Sequence, residues 1–204
     1  MFANAMRGVF NIPAAISMAE WSLFALYREA ADRNNSPTTF PEAAKSRRIH
    51  VALVNIALWL VVLPIYRRGI RFAPDAGWAR WGGLAVQTAS ELLAVRARRY
   101  LADNWSGEIT IKIDHELIRS GPYRLVRHPI YTGILGMFAG AALVSGEATA
   151  LAGLAIAGFA YWRKLRLEEA RLRRQFGAAW EAYRRQTGLL VPGLTNLRRS
   201  SQTT

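Results

Sequence analysis

The chain has 204 residues, of which 51% are apolar, and its 27 Lys and Arg residues against 14 Asp and Glu residues give a formal net charge of +13. The length suits one domain, and a charge of this size requires an anionic partner such as nucleic acid or acidic membrane lipids. There is no cysteine, which excludes disulfides, thiolate metal sites and a cysteine nucleophile. No zinc-finger spacing or aromatic RNA-binding signature occurs, so we expect membrane lipids and not nucleic acid.

Long apolar segments predict membrane-spanning helices, each of which needs about 20 mostly apolar residues. The first candidate is Val9 to Tyr27, in which Asn11, Pro13 and Glu20 interrupt the apolar pattern. The best match follows at Ile49 to Tyr66, which contains no Asp, Glu, Lys or Arg.

A third segment, Trp78 to Val95, contains Arg80, Gln87 and Glu91. Polar residues inside a span usually face a bundle interior or a cavity. The first and third segments therefore have an alternative interpretation as amphipathic helices on the membrane surface. We predict about five spans, with three as the minimum, and the placement of the first two stays open.

Two further apolar segments, Ile130 to Gly146 and Ala148 to Trp162, are separated by a turn at Glu147 and predict a helical hairpin. Both are rich in Gly and Ala, which allows helices to approach closely in lipid. Basic residues beside short loops indicate the cytoplasmic side: Lys45, Arg47, Arg48, Arg96, Arg98, Arg99, Arg124, Arg127, Arg163, Lys164 and Arg166. A second basic group conflicts with this orientation, because it falls on the far side: Arg67, Arg68, Arg71 and Arg80.

Two polar segments complete the chain. Alternating apolar residues at 108–113, with a partner at 114–118, predict a small β-hairpin at the membrane surface. Residues 163–194 have one apolar stripe opposite an arginine-rich face, which predicts an amphipathic helix on the headgroups. The fold prediction is therefore an all-α integral membrane protein with about five transmembrane helices, a small cytoplasmic hairpin and a C-terminal amphipathic helix.

Three parts follow from this prediction: N-terminal transmembrane helices at 1–95, a catalytic region at 96–194 and a flexible tail at 195–204. The catalytic role of the second part is what the family resemblance described below implies. We expect the whole molecule to be integral to the membrane.

The segment GPYRLVRHPIYTG at 121–133 combines two tyrosines, two arginines and a histidine, and it lies at the beginning of the fourth span. Pro129 suits the first turn of a helix, whose free backbone N–H groups favour an anion. Arg127 adds a guanidinium that can hold a carboxylate or phosphate. Beyond the fifth span, Glu168 and Glu169 either pair with nearby arginines or bind the cationic end of a ligand. No Ser–His–Asp pattern and no metal cluster accompanies them.

Taken together, 121–133, the segment EEARLRRQFGAAWEAY at 168–183 and Pro192 resemble the isoprenylcysteine carboxyl methyltransferase family, whose wider relatives include phospholipid N-methyltransferases. The similarity includes residues 104–120 and covers about the C-terminal half of the chain. It implies a membrane enzyme that holds S-adenosylmethionine between the cytoplasmic ends of its last spans and its C-terminal helix. It also implies an acceptor with a lipid tail, such as a prenylated cysteine carboxylate.

The resemblance implies a role for each matching residue. The cofactor contacts are His115, Glu116, Leu117, Ile118, Tyr123, His128, Pro129, Tyr131 and Glu169. Lys164 stands where animal members of the family have an arginine near the substrate carboxylate. We add Arg127 for the carboxylate of the methyl donor and assign Glu169 to its ammonium group. A carboxylate acceptor needs no general base, whereas an amine acceptor would lose a proton to Glu168 or His128.

Four functions are compatible with these residues. The favoured one is carboxyl methylation of a prenylated cysteine or a similar lipid-linked acid. The second is amine methylation of a phospholipid. The third is a sterol-reductase-like enzyme that binds NADPH, and the fourth is a non-catalytic membrane scaffold with a basic surface helix. The sequence leaves the acceptor, O- against N-methylation and the oligomeric state open.

Overall fold

The computed structural model describes residues 12–33, 43–62, 70–101 and 117–193. These residues contain five α-helices and no strand, which confirms the prediction of an all-α fold. The helices are α1 (Ile12–Arg33), α2 (Ala44–Val62), α3 (Gly77–Leu101), α4 (Pro129–Ser145) and α5 (Ala148–Gln186), and a 3₁₀ turn at Gly121–Arg124 precedes α4. The predicted β-hairpin lies almost entirely outside the described residues, as does the tail at 195–204.

The helix bounds differ from the predicted segments at several ends. Pro13 falls in the first turn of α1, where its missing N–H breaks no helical hydrogen bond. The predicted boundary between residues 95 and 96 falls inside α3, which continues to Leu101. Of the helices in the described residues, none has both the length and the apolar content that a crossing of the bilayer requires.

The fifth apolar segment and the C-terminal amphipathic segment form one long helix instead of two. Helix α5 continues past Trp162 because no helix-breaking residue follows until Gly177. At Gly177 the backbone has φ 49° and ψ −121°, a conformation that residues with a Cβ rarely adopt. The helix therefore kinks there, and the chain beyond the kink, residues 178–193, is called the C-terminal strap below.

Helices α3 and α4 approach each other closely because glycines line their contact. A Cβ added to Gly133 would lie 2.6 Å from the carbonyl oxygen of Ser90, and one added to Gly83 would lie 2.8 Å from that of Gly140. A contact of this kind excludes any side chain, so the backbones pack directly. The prediction that the Gly-rich segments allow close helix packing is thereby confirmed.

Helix α1 packs against both members of this pair, and α2 packs against α4 and α5. The Ser17 hydroxyl of α1 donates a 2.6 Å hydrogen bond to Gln87 of α3, and the Gln87 amide donates to the Ser17 carbonyl at 2.9 Å. Trp21 packs its ring 4.7 Å from that of Phe138 on α4. Helix α2 lies along α5 at Gly153. The buried Gln87 therefore joins two helices and does not line a cavity.

The turn between α4 and α5 lies at what we call the far end of the bundle, defined by Arg71, Asp75, Arg80 and Glu147. Arg71 Nη1 lies 3.6 Å from Glu147 Oε1, and Arg80 pairs with Asp75. Two of the basic residues that conflicted with the predicted orientation are thus paired with acids. Arg67 and Arg68 lie outside the described residues.

Candidate functional site

The opposite end of the α4–α5 hairpin, called the site end, holds His128 and the two acids Glu168 and Glu169. His128 precedes the first residue of α4 and makes no capping hydrogen bond with its side chain. Its imidazole is buried, with Nε2 at 3.2 Å from Glu169 Oε1 and Nδ1 at 3.6 Å from Glu168 Oε2. One ring therefore contacts both acids, and the two sequence segments that suggested a site meet there.

Arg127 connects this acid pair to the C-terminal strap. Its Nε donates a 2.8 Å hydrogen bond to Glu169 Oε1. Its Nη1 donates to the carbonyl oxygen of Arg184 at 3.1 Å and to that of Thr187. Two edges of the guanidinium are therefore used within the protein, and only Nη2 makes no hydrogen bond to a described residue. Arg127 holds the strap against the site, a role that the sequence analysis did not assign to it.

Glu169 has one oxygen in use and one available. Both Arg127 Nε and His128 Nε2 approach Oε1, whereas Oε2 makes no hydrogen bond to any residue that the structure describes. Burial acts to raise the pKa of Glu169, but the hydrogen bonds and charges of His128 and Arg127 outweigh it and lower the pKa to about 2. Glu169 is therefore a carboxylate at neutral pH with a free oxygen for a cation.

A row of aromatic rings forms one side of the site. Tyr131, in the first turn of α4, stacks on His128 with 5.8 Å between ring centroids and 10° between planes. Its hydroxyl donates to Glu168 Oε1. Tyr161 of α5 lies 5.2 Å behind Tyr131, and the buried His50 of α2 meets the edge of Tyr161 at 5.1 Å. The row fixes the position of the Tyr131 ring and thereby that of the Glu168 carboxylate.

The C-terminal strap docks onto the segment before α4 through backbone hydrogen bonds. The N–H of Arg127 donates to the Gly188 carbonyl at 2.8 Å, and the N–H of His128 donates to that of Leu189 at 3.2 Å. Tyr183 donates a 2.6 Å hydrogen bond to the carbonyl oxygen of Tyr123. Burial raises the pKa of Tyr183 to about 12, so its hydroxyl stays protonated at neutral pH. The strap therefore forms a fixed outer wall of the site.

The remaining predicted residues take different places. Pro129 is fully buried as the first residue of α4, and the Tyr123 hydroxyl donates to the carbonyl oxygen of Ala97, 3.3 Å away. Lys164 is half-buried one helical turn before Glu168 and makes no ion pair with a described residue. Leu117 and Ile118 are half-buried, but no contact places them in the site. The predicted cofactor contacts His115 and Glu116 lie outside the described residues.

Four residues of the site escaped the sequence analysis: His50, Tyr161, Tyr183 and Thr187. Tyr161 is seven residues before Glu168, so helical spacing was a usable signal for it. Tyr183 belongs by its helical spacing to the apolar stripe of residues 163–194, and the backbone oxygen that accepts its hydrogen bond has no sequence signal. No sequence pattern indicated His50 or Thr187, whose contacts come from the packing of distant segments.

Comparison with models of protein families gives a match. A family model described as phospholipid methyltransferase matches residues 78–179, which is half of the chain. The matched residues run from α3 to the beginning of the C-terminal strap and include Arg127, His128, Glu168 and Glu169. Helices α1 and α2 lie outside them. No curated protein matches the chain.

Proposed function

The chain belongs to the phospholipid methyltransferase family, and from that premise we propose that it transfers the methyl group of S-adenosylmethionine to an acceptor with a lipid tail. The observation that carries the proposal is the unused Oε2 of Glu169 beside the cluster of Arg127, His128 and Glu168. A carboxylate held ionised, with one oxygen free, suits a ligand that has an ammonium group.

The residues of the site fit the chemical groups of this methyl donor. Its ammonium suits Glu169 Oε2, and its carboxylate suits Arg127 Nη2 with the backbone N–H groups of Ile130 and Tyr131 at the beginning of α4. The aromatic face of Tyr131 suits a sulfonium or an adenine. When bound, the donor supplies an electrophilic methyl group, and the protein contributes alignment and the exclusion of water.

For the acceptor, we favour a lipid-linked carboxylate such as that of an isoprenylcysteine-like compound. A carboxylate is already a nucleophile near neutral pH, so the protein needs to position it and not to deprotonate it. Lys164 supports this choice, because it is a half-buried cation near Glu168 without an ion-pair partner among the described residues. Its role would be to hold the acceptor carboxylate.

A phospholipid amine is the second candidate acceptor, and one contact favours it. An amine attacks only after losing a proton, and Glu168, beside His128 Nδ1 at 3.6 Å, is placed to receive one. The description of the matching family model, phospholipid methyltransferase, favours a phospholipid as the acceptor. A sterol-reductase-like NADPH enzyme and a non-catalytic scaffold have no comparable support, since the matched family is one of methyltransferases.

The proposal includes an integral membrane location with the site end on the cytoplasmic side. The outward faces of the helices support it, because they expose large apolar side chains that water does not favour: Leu23, Leu26, Val51, Ile56, Trp59, Trp78, Trp81, Leu92, Phe159 and Trp162. The polar Ser17 and Gln87, which reduce the apolar content of α1 and α3, bond to each other inside the bundle.

Transfer of a labelled methyl group tests the function. Membranes that contain the full chain would be incubated with S-adenosylmethionine carrying a labelled methyl group, and the labelled lipid or protein would be identified. We expect base-labile methyl ester in a lipid-linked acid. Base-stable label in a phospholipid headgroup would support the amine alternative. Binding of NADPH without binding of the methyl donor would contradict both.

A further inference from the structure

Helix α1 brings a cation to the site end although it lies outside the family match. Ser17, Trp21, Phe24 and Arg28 are spaced four, three and four residues apart, so they share one face of α1. The first three face the bundle, since Ser17 bonds to α3, Trp21 packs on α4 and Phe24 is buried. Arg28 therefore continues the inward face of α1 one turn beyond the core.

Arg28 and Tyr131 lie at the same level along the axis of the helix bundle. Helix α1 runs antiparallel to α4, and Trp21 lies against Phe138. Arg28 follows Trp21 by seven residues on α1, and Tyr131 precedes Phe138 by seven residues on α4. Because the rise per residue is the same in both helices, Arg28 and Tyr131 lie at the same distance along the bundle from the contact between Trp21 and Phe138. In keeping with this placement, Arg28 interacts electrostatically with the hydroxyl groups of Tyr131 and Tyr161.

Three polar groups near this point lack protein partners. Arg28 is exposed and, like Lys164, forms no ion pair with any side chain that the structure describes. Tyr161 is 2% exposed, yet its hydroxyl makes no hydrogen bond within the described part of the chain. Tyr161 and Lys164 are three residues apart on α5, so they share a helix face with Glu168, seven residues after Tyr161. Two cations and a hydroxyl donor are thus available for an oxyanion.

We propose that Arg28, Lys164 and the Tyr161 hydroxyl form a subsite for the oxyanion of the lipid acceptor, so that α1 selects the acceptor from outside the matched segment. This subsite rests on the proposed function, in which an acceptor lipid approaches the site end. A guanidinium, an ammonium and a phenol suit either a carboxylate or a phosphodiester. Arg28 is new to the site, and its role differs from that of Glu169, which faces the methyl donor.

Binding of simple amphiphiles to the detergent-solubilised full chain separates this subsite from catalysis. Calorimetry would compare dodecanoate, dodecyl phosphate and uncharged dodecanol as probes. We expect Arg28→Gln to weaken binding of the preferred anion about tenfold, the loss expected for a charge-assisted hydrogen bond. Arg28→Lys should restore part of the affinity, and Tyr161→Phe should weaken it severalfold. Arg48→Gln, which removes the same charge from an exposed position on α2, is the matched control and should bind like the wild type.

In the transfer assay, Arg28→Gln should raise the KM for the acceptor by a similar factor and leave the Kd of the methyl donor unchanged. Preference for dodecanoate would indicate an acceptor lipid with a carboxylate, and preference for dodecyl phosphate would indicate an acceptor lipid with a phosphate group. Equal weakening by Arg28→Gln and Arg48→Gln, or equal binding of dodecanol, would overturn the subsite. If the chain binds anions through Arg28 but transfers no methyl group, the subsite is supported and the proposed function is contradicted.

Discussion

The two ends of the α4–α5 hairpin are both built around an arginine and a glutamate, but they use the pair differently. At the far end, Arg71 faces Glu147, and the backbone encloses them, with Phe72 donating to the Gly146 carbonyl at 2.9 Å and Ala148 donating to that of Ile70 at 2.7 Å. At the site end, Arg127 and His128 approach a single oxygen of Glu169, and the other oxygen has no partner among the residues that the structure describes.

This difference shows how a buried ion pair differs from a candidate binding site built from the same residue types. Glu147 is 4% exposed and lies in a turn whose backbone groups are also paired. Glu168 and Glu169 are both half-buried, they lie next to each other, and they share His128. Two adjacent acids that share one histidine, with one oxygen that has no partner among the described residues, can accept a cationic ligand, whereas the far end has a single glutamate buried beside Arg71. The experiments below test this contrast.

The largest effect is expected from Glu169→Gln, which removes the charge but keeps the shape. We expect the affinity for S-adenosylmethionine to fall about 100-fold, or about 3 kcal/mol, because the donor ammonium loses its carboxylate. His128→Ala should reduce affinity in the same direction without unfolding the protein. Calorimetry on detergent-solubilised protein measures both. Unchanged affinity in both variants would contradict the assignment of the site end.

A smaller effect is expected from Gly177→Ala, because alanine is strained at the positive φ of the kink by about 1–2 kcal/mol. The C-terminal strap should loosen, and the Kd of the methyl donor should rise about threefold to tenfold. Gly158→Ala is the matched control, since a Cβ meets nothing within 4 Å at either glycine but residue 158 lies in regular helix. An equal change in Kd for the two variants would show that the strap is not a wall of the site.

At the far end, Glu147→Gln should affect stability alone. We expect a loss of about 1–2 kcal/mol, because the variant removes the charge of the buried Glu147 and leaves Arg71 with only its 3.8 Å contact to Asp75. Thermal unfolding in detergent, followed by circular dichroism, measures the loss, and the Kd of the methyl donor should be that of the wild type. If Glu147→Gln weakened binding of the methyl donor and left the unfolding temperature unchanged, the proposed difference between the two ends would be contradicted.

The pH dependence of stability gives the smallest effect. Because the pKa of Glu169 is lowered from 4.5 to about 2 on folding, its ionised form stabilises the folded state above about pH 4.5, and this contribution is lost as the pH falls towards 2. The difference in unfolding temperature between the wild type and Glu169→Gln should therefore shrink as the pH falls from about 4.5 towards 2. A difference that grows on acidification would contradict this pKa.

The sequence predicted most of the fold because its signals were local. Alternation of apolar and basic segments located all five helices, and Gly146 and Glu147 correctly marked the turn before α5. The end of the last span was placed at Trp162 because charge changes there, but charge does not end a helix. Helix α5 kinks at Gly177, where glycine can adopt a positive φ, and not at Trp162, where the polarity changes.

The site was predicted in part, through the short string that holds Arg127 and His128 and through the acids at 168 and 169. His128 Nε2 lies 3.2 Å from Glu169 Oε1 because the hairpin brings α5 back to the level at which α4 begins. The use of Arg127 to hold the strap was not predictable, because its partners are backbone oxygens of Arg184 and Thr187. Arg28 was equally hidden, since only the packing of α1 brings it to the level of Tyr131 along the bundle.

The docking of residues 187–189 by backbone hydrogen bonds has a consequence for biosynthesis. These residues leave the ribosome after all five helices have been made, so a nascent chain has its bundle before it has the outer wall of its site. We expect a chain truncated after Gly177 to accumulate as a helical protein that neither retains the methyl donor nor modifies lipid. Full donor retention by that truncated chain would show that the wall is dispensable.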